Sequence, residues 1–144
     1  MRARDNNFNI KMEADYDPNI GMINIVPQDI SRVFLNIINN ACYATHQKKK
    51  KLKDSYNPIL HVSTINSDKN VEIHIRDNGS GIPKEVLDKI FNPFFTTKPA
   101  GQGTGLGLSL SYDIVVQEHQ GELKVVTEAG EYSEFIVVIP KKQV

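Results

Sequence analysis

The apolar positions change rhythm along the chain, and each rhythm predicts an element. Residues 8–16 (FNIKMEADY) roughly alternate apolar and polar, as a half-buried strand does. Asp15-Tyr16-Asp17-Pro18-Asn19 is a turn signal, and residues 20–26 (IGMINIV) read as a second short strand. Pro27 stands where a helix would start, and from about 28 to 47 the period becomes helical. Ile30, Val33, Phe34, Ile37, Ile38, Ala41 and Ala44 fall on one arc, which predicts the face turned to the core. Asn36 and Asn40 are four apart and stack along one edge of that arc. Residues 48–53 (KKKKLK) leave the helix and read as a solvated surface or loop, with an interaction patch as the alternative.

Two strands follow at about 59–66 and 70–77, joined at Ser67-Asp68-Lys69. Val71, Ile73, Ile75 and Asp77 share one parity, so a carboxylate ends the strand on its buried face. Such a group is costly unless hydrogen-bonded. Pro83 opens a short helix to about 89, and the Pro- and Gly-rich stretch 91–107 predicts a long loop. Residues 106–118 predict a well-buried helix, with Leu108, Tyr112, Val115 and Val116 on one side and Leu106, Leu110 and Ile114 towards another. Strands at 121–127 and 132–139, with a turn at Ala129-Gly130, close the chain. The order predicts an α+β fold: a two-layer α/β sandwich whose mixed, mostly antiparallel sheet carries about three helices on one face.

Composition narrows the function classes. At 144 residues the chain is one domain's worth, and 40% hydrophobic with 24% charged residues is ordinary for a soluble domain. Seventeen basic residues balance seventeen acidic ones, against the basic excess of a nucleic-acid coat protein. A single cysteine, Cys42, excludes an internal disulfide framework and a Cys-rich zinc site. No apolar run is long enough to cross a membrane, and no apolar core follows the basic N-terminus as in a signal peptide, so a cytoplasmic location is expected.

Four segments carry chemistry. Gly101-Gln102-Gly103-Thr104-Gly105-Leu106-Gly107-Leu108 puts glycine at every second position before a helix. That suits a polyphosphate cradle built from backbone N–H groups, although a flexible surface loop reads equally well, and neither the Walker A nor the dinucleotide pattern is present. Asp77-Asn78-Gly79-Ser80-Gly81 sets a buried acceptor above a tight turn, able to take an exocyclic amine while the glycines admit a flat ring; an ordinary strand-to-turn aspartate is the alternative. Ile82 and Asp88, where Gly and Glu would be needed, exclude an EF-hand. Asn40 offers a hard amide oxygen to Mg²⁺ or is simply a satisfied polar residue. Lys98, after Phe94-Phe95-Thr96-Thr97, either meets a phosphate or is solvated.

In this order and spacing the four segments resemble the N, G1, F and G2 boxes of the catalytic ATP-binding domain of sensor histidine kinases, in the GHKL superfamily with the Bergerat fold. The likeness runs from about 22 to 140, so residues 1–144 are expected to be one such domain, without the sensor and phosphoacceptor domains. The resemblance implies that Asn40 ligates Mg²⁺, that Asn36 supports the phosphates, and that Asn36, Asn40 and Lys98 serve catalysis. It places ATP against Asn36, Asn40, Tyr43 and Ala44 of the helix, and against Asp77, Gly79, Gly81 and Ile82 of the strand and turn. Phe95, Thr96, Thr97 and Lys98 would sit at the pocket mouth. Gly101, Gly103, Thr104, Gly105, Leu106, Gly107 and Leu108 would form the lid, whose order should depend on ligand.

The implied reaction is transfer of the γ-phosphoryl group of Mg·ATP to a histidine on a helical hairpin of the same polypeptide, then to a response-regulator aspartate. The resemblance implies a homodimeric parent, with or without a membrane anchor, and no nucleic-acid partner is expected. Hydrolytic relatives typically carry a Glu where Asn36 stands, and a neutral amide is no general base. Two alternatives are a GHKL ATPase of the Hsp90 or MutL kind and a non-catalytic nucleotide-binding module. Anti-sigma serine kinases share the fold. Tyr43 replaces a basic residue common in the family, with Lys98 or a residue of 46–51 expected to replace its charge. His119-Gln120-Gly121 and the Gly130 turn also depart from the family pattern, and are expected to affect only turn geometry. None of His46, His61, His74 and His119 is expected to be the acceptor.

Overall fold

A computed structural model describes residues 9–95 and 107–141. Thr96, Thr97, Lys98, Gly101, Gly103, Thr104, Gly105 and Leu106, and with them the order of the lid, lie outside the described residues.

Helix α1, Pro27–Leu52, is the backbone of the helical layer. Pro27 occupies its first turn with Asp29, and Lys49, Lys50 and Lys51 fill the last turn, matching the helix dipole at both ends. Its predicted arc is the buried one: Ile30, Val33, Ile37 and Ala41 are in the core, with Phe34 and Ile38 packed beside them. Five strands face it: β1 (Lys11–Asp15), β2 (Ile59–Asn66), β3 (Asn70–Asp77), β4 (Glu122–Glu128) and β5 (Tyr132–Pro140). Their order is β1-β2-β3-β5-β4. Only the β1–β2 pair is parallel; the others are antiparallel.

Register sorts the strand side chains. Leu60, Ile75, Phe135 and Val137 turn towards α1, with Ile114 and Val115 closing the core. Burying each such aliphatic contributes roughly 1.5–3 kcal/mol. The opposite sheet face carries a polar group: His74 bridges Glu72 at 2.9 Å and Glu134 at 3.2 Å, and the Arg76 guanidinium lies 3.9 Å from the Tyr132 ring centroid. The predicted α+β sandwich, its mixed sheet and its one helical face are therefore as expected.

Several boundaries differ from the expectation. Residues 20–26 form no strand. Gly21 has φ +68°, and the alternation of Ile23 and Ile25 packs this segment against the core instead of pairing it. Helix α1 runs through the lysines to Leu52 rather than stopping at 47, because Lys49 Nζ donates to the carbonyls of Lys53 and Tyr56, both at 2.8 Å, and so caps the end. Helix α2 is one turn, Lys84–Leu87. The predicted helix 106–118 is described as α3, Gly107–Tyr112, continuing as a π-helical turn, Asp113–Glu118. The buried positions are Ser109, Ser111, Ile114 and Val115, while Leu110 and Tyr112, expected to be buried, are exposed. The small serines let α3 approach α1, and Ser111 Oγ donates to the Gly107 carbonyl at 2.8 Å.

Candidate functional site

Asp77 ends β3 on the core face, opposite Leu60 of β2 and Ser133 of β5. It is 4% exposed. The chain then turns sharply, and the Gly79 N–H donates to Asp77 Oδ1 at 2.8 Å. Burial pushes the carboxyl up to about 6, against the opposing pull of the Gly79 N–H and the charges of Lys48 and Arg76.

The glycines of this turn have steric reasons. A Cβ on Gly79 would lie 2.7 Å from Asp77 Oδ1 and 2.9 Å from Ala44 Cβ, so α1 and the turn meet here with no room between them. Gly81 has φ +70°, and a Cβ there would collide with the Glu128 carbonyl. The Ile82 N–H is held by Thr127 Oγ1 at 2.8 Å, which ties the turn's exit to β4.

The other end of the site lies on the same edge of α1. Asn36 Nδ2 donates to the Gly107 carbonyl at 3.0 Å and reaches Ser111 Oγ at 3.2 Å. Asn36, Asn40 and Ala44 succeed one another at single-turn steps, so one ridge runs from the start of α3 to the turn beneath Asp77. Eight residues of helix span about 12 Å. Tyr43 is half-buried beside this ridge. Phe95, Ile82 and Leu108 are partly buried against the core, and Phe91 stacks on Tyr112 with ring centroids 5.5 Å apart.

The structure thus brings Asn36 to Gly107, and Ala44 to Gly79 and Asp77. It also shows contacts the sequence reading passed over. Lys48, in the run read as solvated and within the 46–51 stretch offered to replace a missing charge, donates to the carbonyls of Gly130 at 2.8 Å, Asn78 at 3.2 Å and Gly79 at 3.4 Å, contacts the sequence did not predict. Asn78 Oδ1 accepts from the Ile59 N–H at 2.8 Å and the Tyr56 hydroxyl at 3.0 Å. Ser133 is buried next to Asp77 across the β3–β5 pair. Strand parity alone marks Ser133; nothing in the local pattern marks Lys48. The Gly130 turn, expected to matter only for its own geometry, packs on the Asp77 turn, its N–H donating to the Ser80 carbonyl at 2.6 Å. A cavity of about 350 Å³ at the β1–β2–β3 end of the sheet is lined by Glu13, Ile59, His61 and Arg76 and reaches Asp77 and Asn78.

The chain belongs to the family of histidine kinase-, DNA gyrase B-, and HSP90-like ATPases, whose profile matches residues 25–143. Within that family its similarity runs to the kinases. Sporulation kinase E of Bacillus subtilis is 34% identical over 143 residues, 99% of this chain and 18% of that protein. Sporulation kinase C of the same organism is 36% identical over 135 residues, 93% of this chain and 29% of that protein. The chain therefore spans less than a third of either relative. Among solved structures, the catalytic domain of histidine kinase ThkA superposes with a TM-score of 0.75 at 31% identity, covering 92% of this chain and 79% of that one. The chain is thus a catalytic domain of the sensor histidine kinase type. No helix among the described residues is long and apolar enough to cross a membrane.

Proposed function

We propose that this domain binds Mg·ATP along the α1 ridge and, within a longer kinase, donates the γ-phosphoryl group to a histidine on a separate helical hairpin. The observation that carries this reading is the buried Asp77 carboxylate, set above a turn that has no side chain at Gly79. A carboxylate with one oxygen held by the Gly79 N–H has the other to accept the N6 amine of adenine. The ring would then lie along the open side of the Gly79–Gly81 turn, with Ala44 packed behind Gly79. Asn40 lies about 6 Å further along α1, and Asn36 with the Gly107 end of α3 about 12 Å along; these would face the phosphates.

The donor set fits magnesium bound through the nucleotide. Among the described residues no three His, Cys, Asp or Glu side chains are grouped to hold a metal by themselves. Asn40 would supply one hard amide oxygen and phosphate oxygens and water the rest, and the ion would neutralise charge on the phosphates. The residues of the chain orient the nucleotide. Asp77 fixes the base, the ridge fixes the triphosphate, and the lid residues 97–105, with Lys98, would cover it. From there the phosphate would pass to a response-regulator aspartate. We place this fragment in the cytoplasm, as one domain of a homodimeric parent.

Asn36 separates this reading from a hydrolytic one. Its amide is neutral, so no base stands there to activate water. Calorimetric titration of Mg·ATP and Mg·ADP into the chain, with Asp77→Asn beside it, tests the proposal. Saturable binding, lost in Asp77→Asn, with negligible turnover is expected. Steady hydrolysis would turn the reading to an ATPase, and no binding by the unaltered chain would overturn it.

A further inference from the structure

We propose that Lys48 is a positioning residue for base recognition: its ammonium aims the Asn78–Gly79 peptide so that the Gly79 N–H meets Asp77. This deepens the nucleotide-binding reading and rests on it for the ligand, though not for the geometry.

The argument starts from the peptide plane. In a trans peptide the carbonyl and the N–H point in opposite directions. The peptide joining Asn78 to Gly79 presents its carbonyl to Lys48 Nζ at 3.2 Å and to the Tyr56 hydroxyl at 2.9 Å. Its N–H points the other way, at Asp77 Oδ1, 2.8 Å distant. Holding the carbonyl therefore sets the N–H. Gly79 on its own would let this plane rotate, because glycine places few limits on its backbone. The ammonium also accepts no alternative partner cheaply. It sits 4.9 Å from the Tyr56 ring centroid, and its remaining donors go to the Gly79 and Gly130 carbonyls. One side chain thus joins α1, the Asp77 turn and the β4–β5 turn.

Charge acts in the same direction. Lys48 and Cys42 of α1, Tyr56 of the following loop and Arg76 of β3 are the groups that interact electrostatically with Asp77. Burial raises both the Cys42 thiol and the Tyr56 hydroxyl, so they stay neutral where Asp77 titrates. Lys48 and Arg76 are the cations that favour its carboxylate form.

The test compares Lys48→Met, Lys48→Gln and Lys48→Arg with Lys49→Met. Lys49 caps the same helix end but bonds to neither Asn78 nor Gly79. Two quantities are read: the titration midpoint of the Asp77 carboxyl carbon by NMR without nucleotide, and ADP affinity by calorimetry at pH 7.5. Lys48→Met should raise the midpoint above its starting value of about 6 and weaken ADP binding about tenfold. Lys48→Arg should restore most of both, and Lys49→Met should change neither. Should Lys48→Met fail to fold, Lys48→Gln keeps a neutral donor and must still raise the midpoint. A lowered melting temperature with unchanged midpoint and affinity would reduce Lys48 to a structural residue and overturn the proposal. If the unaltered chain binds no ADP, the nucleotide reading fails, while the Asp77 titration still decides the positioning claim.

Discussion

Val26 donates its backbone N–H to Nε2 of His119 at 2.9 Å, across 93 residues of chain. Because Nε2 accepts, Nδ1 must carry the proton, and it donates to the Ile114 carbonyl at 2.8 Å. His119 is 1% exposed, so both bonds are shielded from water. The ring joins the start of α1 to the π-helical turn.

Replacing His119 with alanine removes two buried hydrogen bonds and leaves a cavity. We expect a loss of about 2–4 kcal/mol. Urea denaturation measures it, and ¹⁵N spectra of the unaltered chain should show the Nδ1–H tautomer.

Asp77 should cost the empty domain stability. Its carboxyl titrates near 6 when folded and near 3.8 otherwise, so the folded state holds the proton more tightly. Stability from this group is full below about pH 4 and is lost as pH rises through about 6. Asp77→Asn keeps an acceptor for the Gly79 N–H and needs no ionisation. It should stabilise the nucleotide-free chain by about 1–3 kcal/mol at pH 7.5, while abolishing nucleotide binding. Paired thermal melts at pH 4 and pH 7.5 should show the gain only at the higher pH.

The two turn glycines should fail differently. Gly81→Ala strains a φ of +70° and drives a methyl into the Glu128 carbonyl, so it should destabilise the fold by about 2 kcal/mol or more. Gly79→Ala presses on Asp77 Oδ1 and Ala44, and so displaces the carboxyl proposed to read the base. Its larger effect should be on ADP affinity, read by calorimetry on protein whose melting temperature has been checked.

On the helix-free face, burial works against a charge on His74, but hydrogen bonds to Glu72 and Glu134 outweigh it and raise its pKa. The stability this provides is present below the ordinary histidine pKa and is lost as pH rises through the raised one. His74→Gln should therefore lower the melting temperature at pH 5.5 and leave it nearly unchanged at pH 8.5. The groups are partly exposed, so the difference should stay within about 1 kcal/mol.

Helix α1 and the buried placing of Asp77 were legible because each follows from periodicity: helical spacing of large apolar residues, and strand parity through Val71, Ile73 and Ile75. The 20–26 segment was not, because alternation reports which side chains are buried and not whether the backbone is paired. There Ile23 and Ile25 do turn inward, but Val26 finds His119 in place of a strand. The π-helical turn after Tyr112 has no signature in side-chain order, and the buried Ser109 and Ser111 carry no apolar signal, so neither was legible in that helix. Lys48 fell within the 46–51 stretch offered for a missing charge, but its contacts with the turns were hidden for another reason. Its acceptors are carbonyls 30 and more residues away, and a backbone carbonyl carries no residue identity to read.

The strand order β1-β2-β3-β5-β4 also sets a sequence of assembly. The pairs β2–β3 and β4–β5 are hairpins of near neighbours, which can zip locally, whereas β1 joins in parallel only after the chain has crossed over through α1. The same order predicts that the edge strand β1 exchanges its amide protons sooner than the central strand β3, which hydrogen exchange would read. Asp77 is carried by the central strand, paired with β2 on one side and β5 on the other, so fraying of β1 leaves both of its ladders in place.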